Sequence, residues 1–171
     1  VCMCTKEHLD VAIKASIDEN QACAEEVSAS SAQIGSIVNE VVVKSEHMKQ
    51  VIHIASTRAF LDTVKLDHAI WKNNIYRLLQ KGAFGESINS HTECRLGQWY
   101  YRGDGKAYSH LRSYALLEEP HKGVHDGGRE AMSQAKSGNM AAMVTAINAM
   151  EDASEQVVVQ IDRLMDEIIA S

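Results

Sequence analysis

The chain has 171 residues, 23 acidic against 17 Lys and Arg side chains, and a formal charge of −6. The two signs are interspersed, with no basic stripe or Arg-rich arm, which argues against nucleic-acid binding. No apolar run approaches the roughly 18 residues that a membrane-spanning helix needs.

A single proline and ten glycines, with abundant alanine, valine, isoleucine and methionine, favour helix. Four cysteines (Cys2, Cys4, Cys23, Cys94) could make two disulfides. Three of them crowd an N-terminal helical stretch, and the chain has more core than a disulfide-stapled mini-domain, so a reducing, cytoplasmic setting fits better. Cys2 and Cys4 have the spacing of a Cys-x-Cys metal site but no further donor close by, and read as a frayed terminus. There is no signal peptide, and a start at Val1 rather than methionine suggests a piece of something longer.

From Ile13 to Ile52 a heptad runs through Ile13, Ile17, Asn20, Ala24, Val27, Ser31, Ile34, Val38, Val41, Ser45, Met48 and Ile52. A sustained period of 3.5 specifies a coiled coil or a long bundle helix. Roughly forty residues of helix reach about 60 Å, too long to bury a seam within so small a monomer. The helix is therefore expected to pair with a second copy or with a part not in this sequence. Its seam is weak, because Asn20, Ala24, Ser31 and Ser45 are small or polar; a helix that changes state and a merely poor coiled coil are both consistent with it.

A second seam, Leu61, Val64, His68, Trp71, Ile75 and Leu78, follows in a shifted phase and predicts a helix ending near Lys81-Gly82. A glycine-containing loop is expected from about Ala83 to Gly105, then a short helix over Lys106 to Leu117. Pro120 is expected in the first turn of the next helix, where its missing N–H costs nothing. That helix carries His121, His125, Gly128, Met132 and Ala135 on one face, and Ser137-Gly138-Asn139 should end it. The last helix bears Met143, Ile147, Met150, Ser154, Val157, Ile161, Leu164 and Ile168. The expected architecture is all-α and dimeric: a coiled-coil helix over 1–57, then a four-helix bundle over 58–171.

Four side chains carry chemistry: His68, Cys94, His121 and His125. His121 and His125 stand one turn apart and can reach one ion; His68 lies inward on another helix; Cys94 lies in the loop. Three imidazoles and a thiolate complete a tetrahedral shell for a borderline-soft ion, zinc first. A shell closed by four protein donors suits structural or sensory use, since hydrolytic zinc keeps a position for water. An enzymatic reading is weak. Lys122 follows His121 where a metalloprotease has glutamate, and Glu118-x-x-His121 has no second copy to build a di-iron site. Asp67, Trp71, Trp99 and Asp126 are expected around the donors, the two carboxylates accepting imidazole N–H groups. His91 and His110 are expected as exposed loop histidines, with His91 close enough to Cys94 to substitute for it.

Leu66-Asp67-His68-Ala69-Ile70-Trp71-Lys72 resembles the first motif of the chemoreceptor zinc-binding domain. Cys94-Arg95-Leu96-Gly97-Gln98-Trp99-Tyr100 resembles its Cys-x-Leu-Gly-x-Trp-Tyr loop, and Pro120-His121-Lys122-Gly123-Val124-His125 its closing motif. The resemblance runs from about Leu61 to Ser171 and implies that His68, Cys94, His121 and His125 are the zinc ligands. Ala24–Ile34 is similar to the returning helix of a chemoreceptor's cytoplasmic coiled coil, where Glu25 and Glu26 are either methylation-type glutamates or a solvated face. The hairpin tip that contacts kinase and coupling proteins is not recognisable, so those partners would engage segments upstream or outside. The function implied is a non-enzymatic, cytoplasmic sensor of zinc or oxidant, with Cys94 redox-sensitive. Control of a diguanylate cyclase, or a purely structural zinc-stabilised dimerisation module, are the alternatives; the heptads before His68 favour the chemoreceptor.

Overall fold

A computed structural model describes residues 2–171, with side chains from Lys6 onward. The expectation for Cys2 and Cys4 therefore lies outside the described side chains. Among the described residues there are four α-helices and no strand: α1 (Cys2–Lys81), α2 (Arg95–Arg102), α3 (Arg112–Lys136) and α4 (Met140–Ala170), with a 3-10 segment at Asp104–Tyr108. No helix among them is long and apolar enough to cross a membrane.

The chain divides between Ile52 and His53 into two units. The first is the leading part of α1. Every described side chain in it is exposed, including the heptad residues Ile13, Ile17, Val27, Ile34, Val38, Val41, Met48 and Ile52. Its local support is the one-turn ion pairs Lys44–Glu40 at 2.5 Å and Lys49–Glu46 at 3.4 Å, each worth only a few tenths of a kcal/mol.

The second unit, His53–Ser171, is the bundle. The rest of α1 buries Leu61, Val64, His68, Ile75 and Leu78, as the seam requires. α3 buries Leu117, His121, Val124, His125, Gly128, Met132 and Ala135. α4 buries Met150, Ser154, Val157, Ile161, Leu164 and Ile168. Lys72 ties α1 to Glu151 of α4 at 2.6 Å, and Lys65 pairs with Asp162. Gly82 and Gly138 follow α1 and α3 with φ of 68° and 78°. In each case the glycine's own amide and the next one bond back to the last turn, Gly82 to Leu79 and Ala83 to Leu78, Gly138 to Ala135 and Asn139 to Gln134, which is the glycine-dependent helix stop.

Three expectations are corrected. The stretch expected to be loop contains α2, and the short helix expected over Lys106 to Leu117 is instead the 3-10 segment followed by the start of α3. α2 is held by its tyrosines: Tyr100 stacks on Tyr114 of α3 at 4.1 Å, and the Tyr114 hydroxyl donates to the Tyr100 carbonyl at 2.6 Å. Pro120 lies inside α3 rather than in its first turn. The carbonyl of Leu116 thereby loses its usual partner four residues on, but Leu116 is exposed and lines an open groove with Pro120, where water can take the bond. α3 opens earlier because Glu167 of α4 accepts from Ser113 N at 3.1 Å and from Ser113 Oγ at 2.8 Å, serving the free amides that Leu111 cannot cap.

Candidate metal centre

Four donors from three elements meet in the bundle. His68 comes from α1, Cys94 precedes α2, and His121 and His125 come from α3. Their ligand atoms all lie within 4.8 Å of one another. The His68 ring is 4.9 Å from His121 and 5.6 Å from His125, and His121 and His125 are 5.2 Å apart, all edge-on. Edge-on rings aim nitrogens at a shared point, where stacked rings would not.

Backbone carbonyls set which nitrogens face that point. His68 Nδ1–H donates to Val64 O at 2.7 Å, and His125 Nδ1–H to Asn89 O at 3.0 Å. With Nδ1 protonated in each, Nε2 holds the lone pair. Both Nε2 atoms are buried and have no hydrogen-bond partner. His121 Nε2 lies 3.1 Å from Cys94 Sγ. Orphaned lone pairs of this kind cost about 1–3 kcal/mol each when nothing engages them, and here they converge. A tetrahedral zinc shell sets neighbouring donors about 3.3–3.7 Å apart, so small side-chain movements close the group. The donors fit zinc.

Burial also keeps the imidazoles neutral. It pushes His121 down to about 2, helped by the other histidines around it. It pushes His125 down to about 4, against the Asn89 hydrogen bond, and lowers His68 as well. A neutral imidazole is the form that ligates. Burial raises the Cys94 thiol, partly offset by the amides of Gly97 and Leu96 and reinforced by the Asp67 carboxylate. Cys94 is also the N-cap of α2: its extended backbone starts the helix, and Gly97 N–H donates to Sγ at 3.3 Å. Gly97 has no room for a side chain, since a Cβ there would sit 1.8 Å from His91 O.

The expected carboxylate partners are not the ones found. Asp67 pairs with Arg95 at 3.3 Å and Asp126 with Arg129, while the N–H groups of His68 and His125 go to main-chain carbonyls. Trp71 does stand at the site, its ring 4.4 Å from His125 and its indole N–H donating to Asn89 Oδ1 at 2.6 Å. Asn89 thus holds both, through side chain and backbone. Trp99 instead packs on Phe60, Tyr108 and Tyr114 at 5.5, 6.0 and 6.4 Å, fastening α2. A cavity of about 50 Å³ reaches the donors beside Asp67, Trp71 and Arg95. His110 is exposed. His91 is not the exposed loop residue expected: it is half-buried, 5.9 Å from His121, and its Nδ1 is buried without a partner.

The family model described as the chemoreceptor zinc-binding domain matches residues 68–132, a stretch that takes in all four donors and well under half of the chain. No curated protein and no solved structure matches the chain.

Proposed function

We propose that the chain, whose residues 68–132 form a chemoreceptor zinc-binding domain, is the regulatory sensory part of a cytoplasmic chemoreceptor-like protein, reading zinc occupancy or oxidant through His68, Cys94, His121 and His125. The observation that carries this is the convergence of two buried, unpartnered Nε2 atoms with a cysteine and a third imidazole.

A bound zinc ion would hold the thiol as thiolate and tie three segments of the bundle together. The chain's own groups do the rest. The Val64 and Asn89 carbonyls fix the ring orientations, burial excludes the imidazolium forms, and Cys94 couples the donor set to the start of α2. All four positions are filled by protein donors, which supports regulation over hydrolysis. A peroxide would reach Cys94 through the small cavity. The sulfur would attack one peroxide oxygen, the O–O bond would break, hydroxide would leave with the electron pair, and a sulfenic acid would remain. The exposed heptads of α1 support a homodimer, through which kinase and coupling proteins would be reached.

The test is metal analysis of purified protein with Cys94→Ala beside it, followed by output of the coupled kinase with and without chelator. One zinc per chain, lowered affinity in the variant and a chelator-dependent output are expected. Protein without zinc sinks the reading, and zinc whose removal leaves the output unchanged makes the module structural.

A further inference from the structure

His91 stands in the turn that leads to Cys94, and its setting has no packing explanation. Nδ1 is buried and makes no hydrogen bond, a cost that native structures seldom leave standing. The tyrosine packed against the ring does not relieve it: Tyr101 lies edge-on at 6.0 Å, but its O–H is committed to Glu118 at 3.0 Å. The ring lies 5.9 Å from that of His121, scarcely farther than the 5.6 Å that separates His68 from His125 within the donor group.

The backbone beneath this ring is fixed. His91 O faces Cys94 Sγ at 3.4 Å and fills the space that a side chain on Gly97 would need. Glu93 closes the turn by accepting from Ser90 N at 2.7 Å and Ser90 Oγ at 2.8 Å. Two residues before His91, Asn89 O holds His125. A nitrogen of His91 can therefore be brought toward the donors by rotating the ring, without refolding the turn.

We infer that His91 is a reserve ligand: when Cys94 is oxidised or lost, His91 takes its place and the site keeps its metal as a four-imidazole shell. The inference rests on the proposed role of the four donors as ligands. It makes the thiol the replaceable member of the set, so that Cys94 can leave without emptying the site.

Cobalt(II) loaded into the full chain separates the two claims. A thiolate-to-cobalt charge-transfer band in the unaltered protein tests Cys94 as a ligand; its absence sinks the proposed site. For the reserve role, Cys94→Ala should lose that band yet keep the intense visible absorption of four-coordinate cobalt. His91→Ala alone should leave the spectrum as it was. The double variant should bind cobalt weaker than Cys94→Ala by roughly 100-fold or more, the scale on which even supporting groups of a metal site act. Equal affinity of Cys94→Ala and the double variant overturns the inference. A second measurement uses no cysteine variant. After hydrogen peroxide treatment, in which the Cys94 sulfur gains an oxygen and hydroxide is released, unaltered protein should retain zinc against a chromophoric chelator while His91→Ala releases it. Equal release from both also overturns it.

Discussion

At the scale of single residues, the donors are defined by what their other atoms do. His68 and His125 each spend Nδ1–H on a carbonyl and so present Nε2. Because burial lowers all three imidazoles, the folded metal-free chain refuses protons that the unfolded chain accepts below its ordinary pKa near 6.5. Proton uptake by the unfolded state favours unfolding. The metal-free protein should therefore lose thermal stability as pH falls from about 6.5 toward 4, with stability fully present above that window. Melting curves across the range, with His121→Leu giving a flatter dependence, check this. Gly128→Ala places a Cβ 2.5 Å from the Trp71 ring, and overpacking of that kind costs about 1–3 kcal/mol. Denaturant unfolding should show the loss, and Trp71 fluorescence the displaced ring. The donors were legible because His121 and His125 one turn apart, an inward His68 and a loop Cys94 are distinctive residue types in such places. Their real supports, the Val64 and Asn89 carbonyls, were not, since main-chain acceptors leave no mark in residue type and Asp67 and Asp126 were the visible candidates.

At the scale of elements, the long helices follow from apolar periodicity, and Leu61, Val64, His68, Ile75 and Leu78 are buried as the seam demands. The stretch between α1 and α3 was less legible. α2 has only eight residues, too few for a period to declare itself, and it persists because Tyr100, Trp99 and Tyr114 dock it. Pro120 looked like a helix start since proline favours that position; what allows it mid-helix is an exposed Leu116 and an earlier N-terminus served by Glu167, both tertiary facts. Ser113 hydrogen bonds hold the Glu167 carboxyl below its usual range. Its contribution is thus present at neutral pH and lost on acidification, and Glu167→Gln should lower the melting temperature at pH 7 more than at pH 3. Tyr108 fastens the 3-10 segment to α1, with its hydroxyl 2.9 Å from His53 Nε2 and 3.3 Å from Thr57 Oγ1. Tyr108→Phe should cost about 1 kcal/mol, read by chemical denaturation.

At the scale of the molecule, zinc at 100 times its dissociation constant should stabilise the bundle by about 2.7 kcal/mol. For a chain of this size that is roughly 5–11 °C of melting temperature, measurable by calorimetry before and after chelation. The exposed row on α1, with Ile34, Val38 and Val41 at 61, 55 and 56 % exposure, is expected to be covered by a second copy. Sedimentation should report a dimer, and Val38→Lys with Val41→Lys should yield monomers with reduced helicity. The pairing partner could be read from the heptads only as a need, because a seam states that it must be buried and not what buries it. The Cys94 cap sets a pace for any signal that begins at its sulfur. Helices re-equilibrate in about 0.1–1 μs, so once Sγ no longer receives the Gly97 amide, the first turn of α2 would readjust long before another oxidant molecule arrived. The slow step of the response would be the covalent event itself.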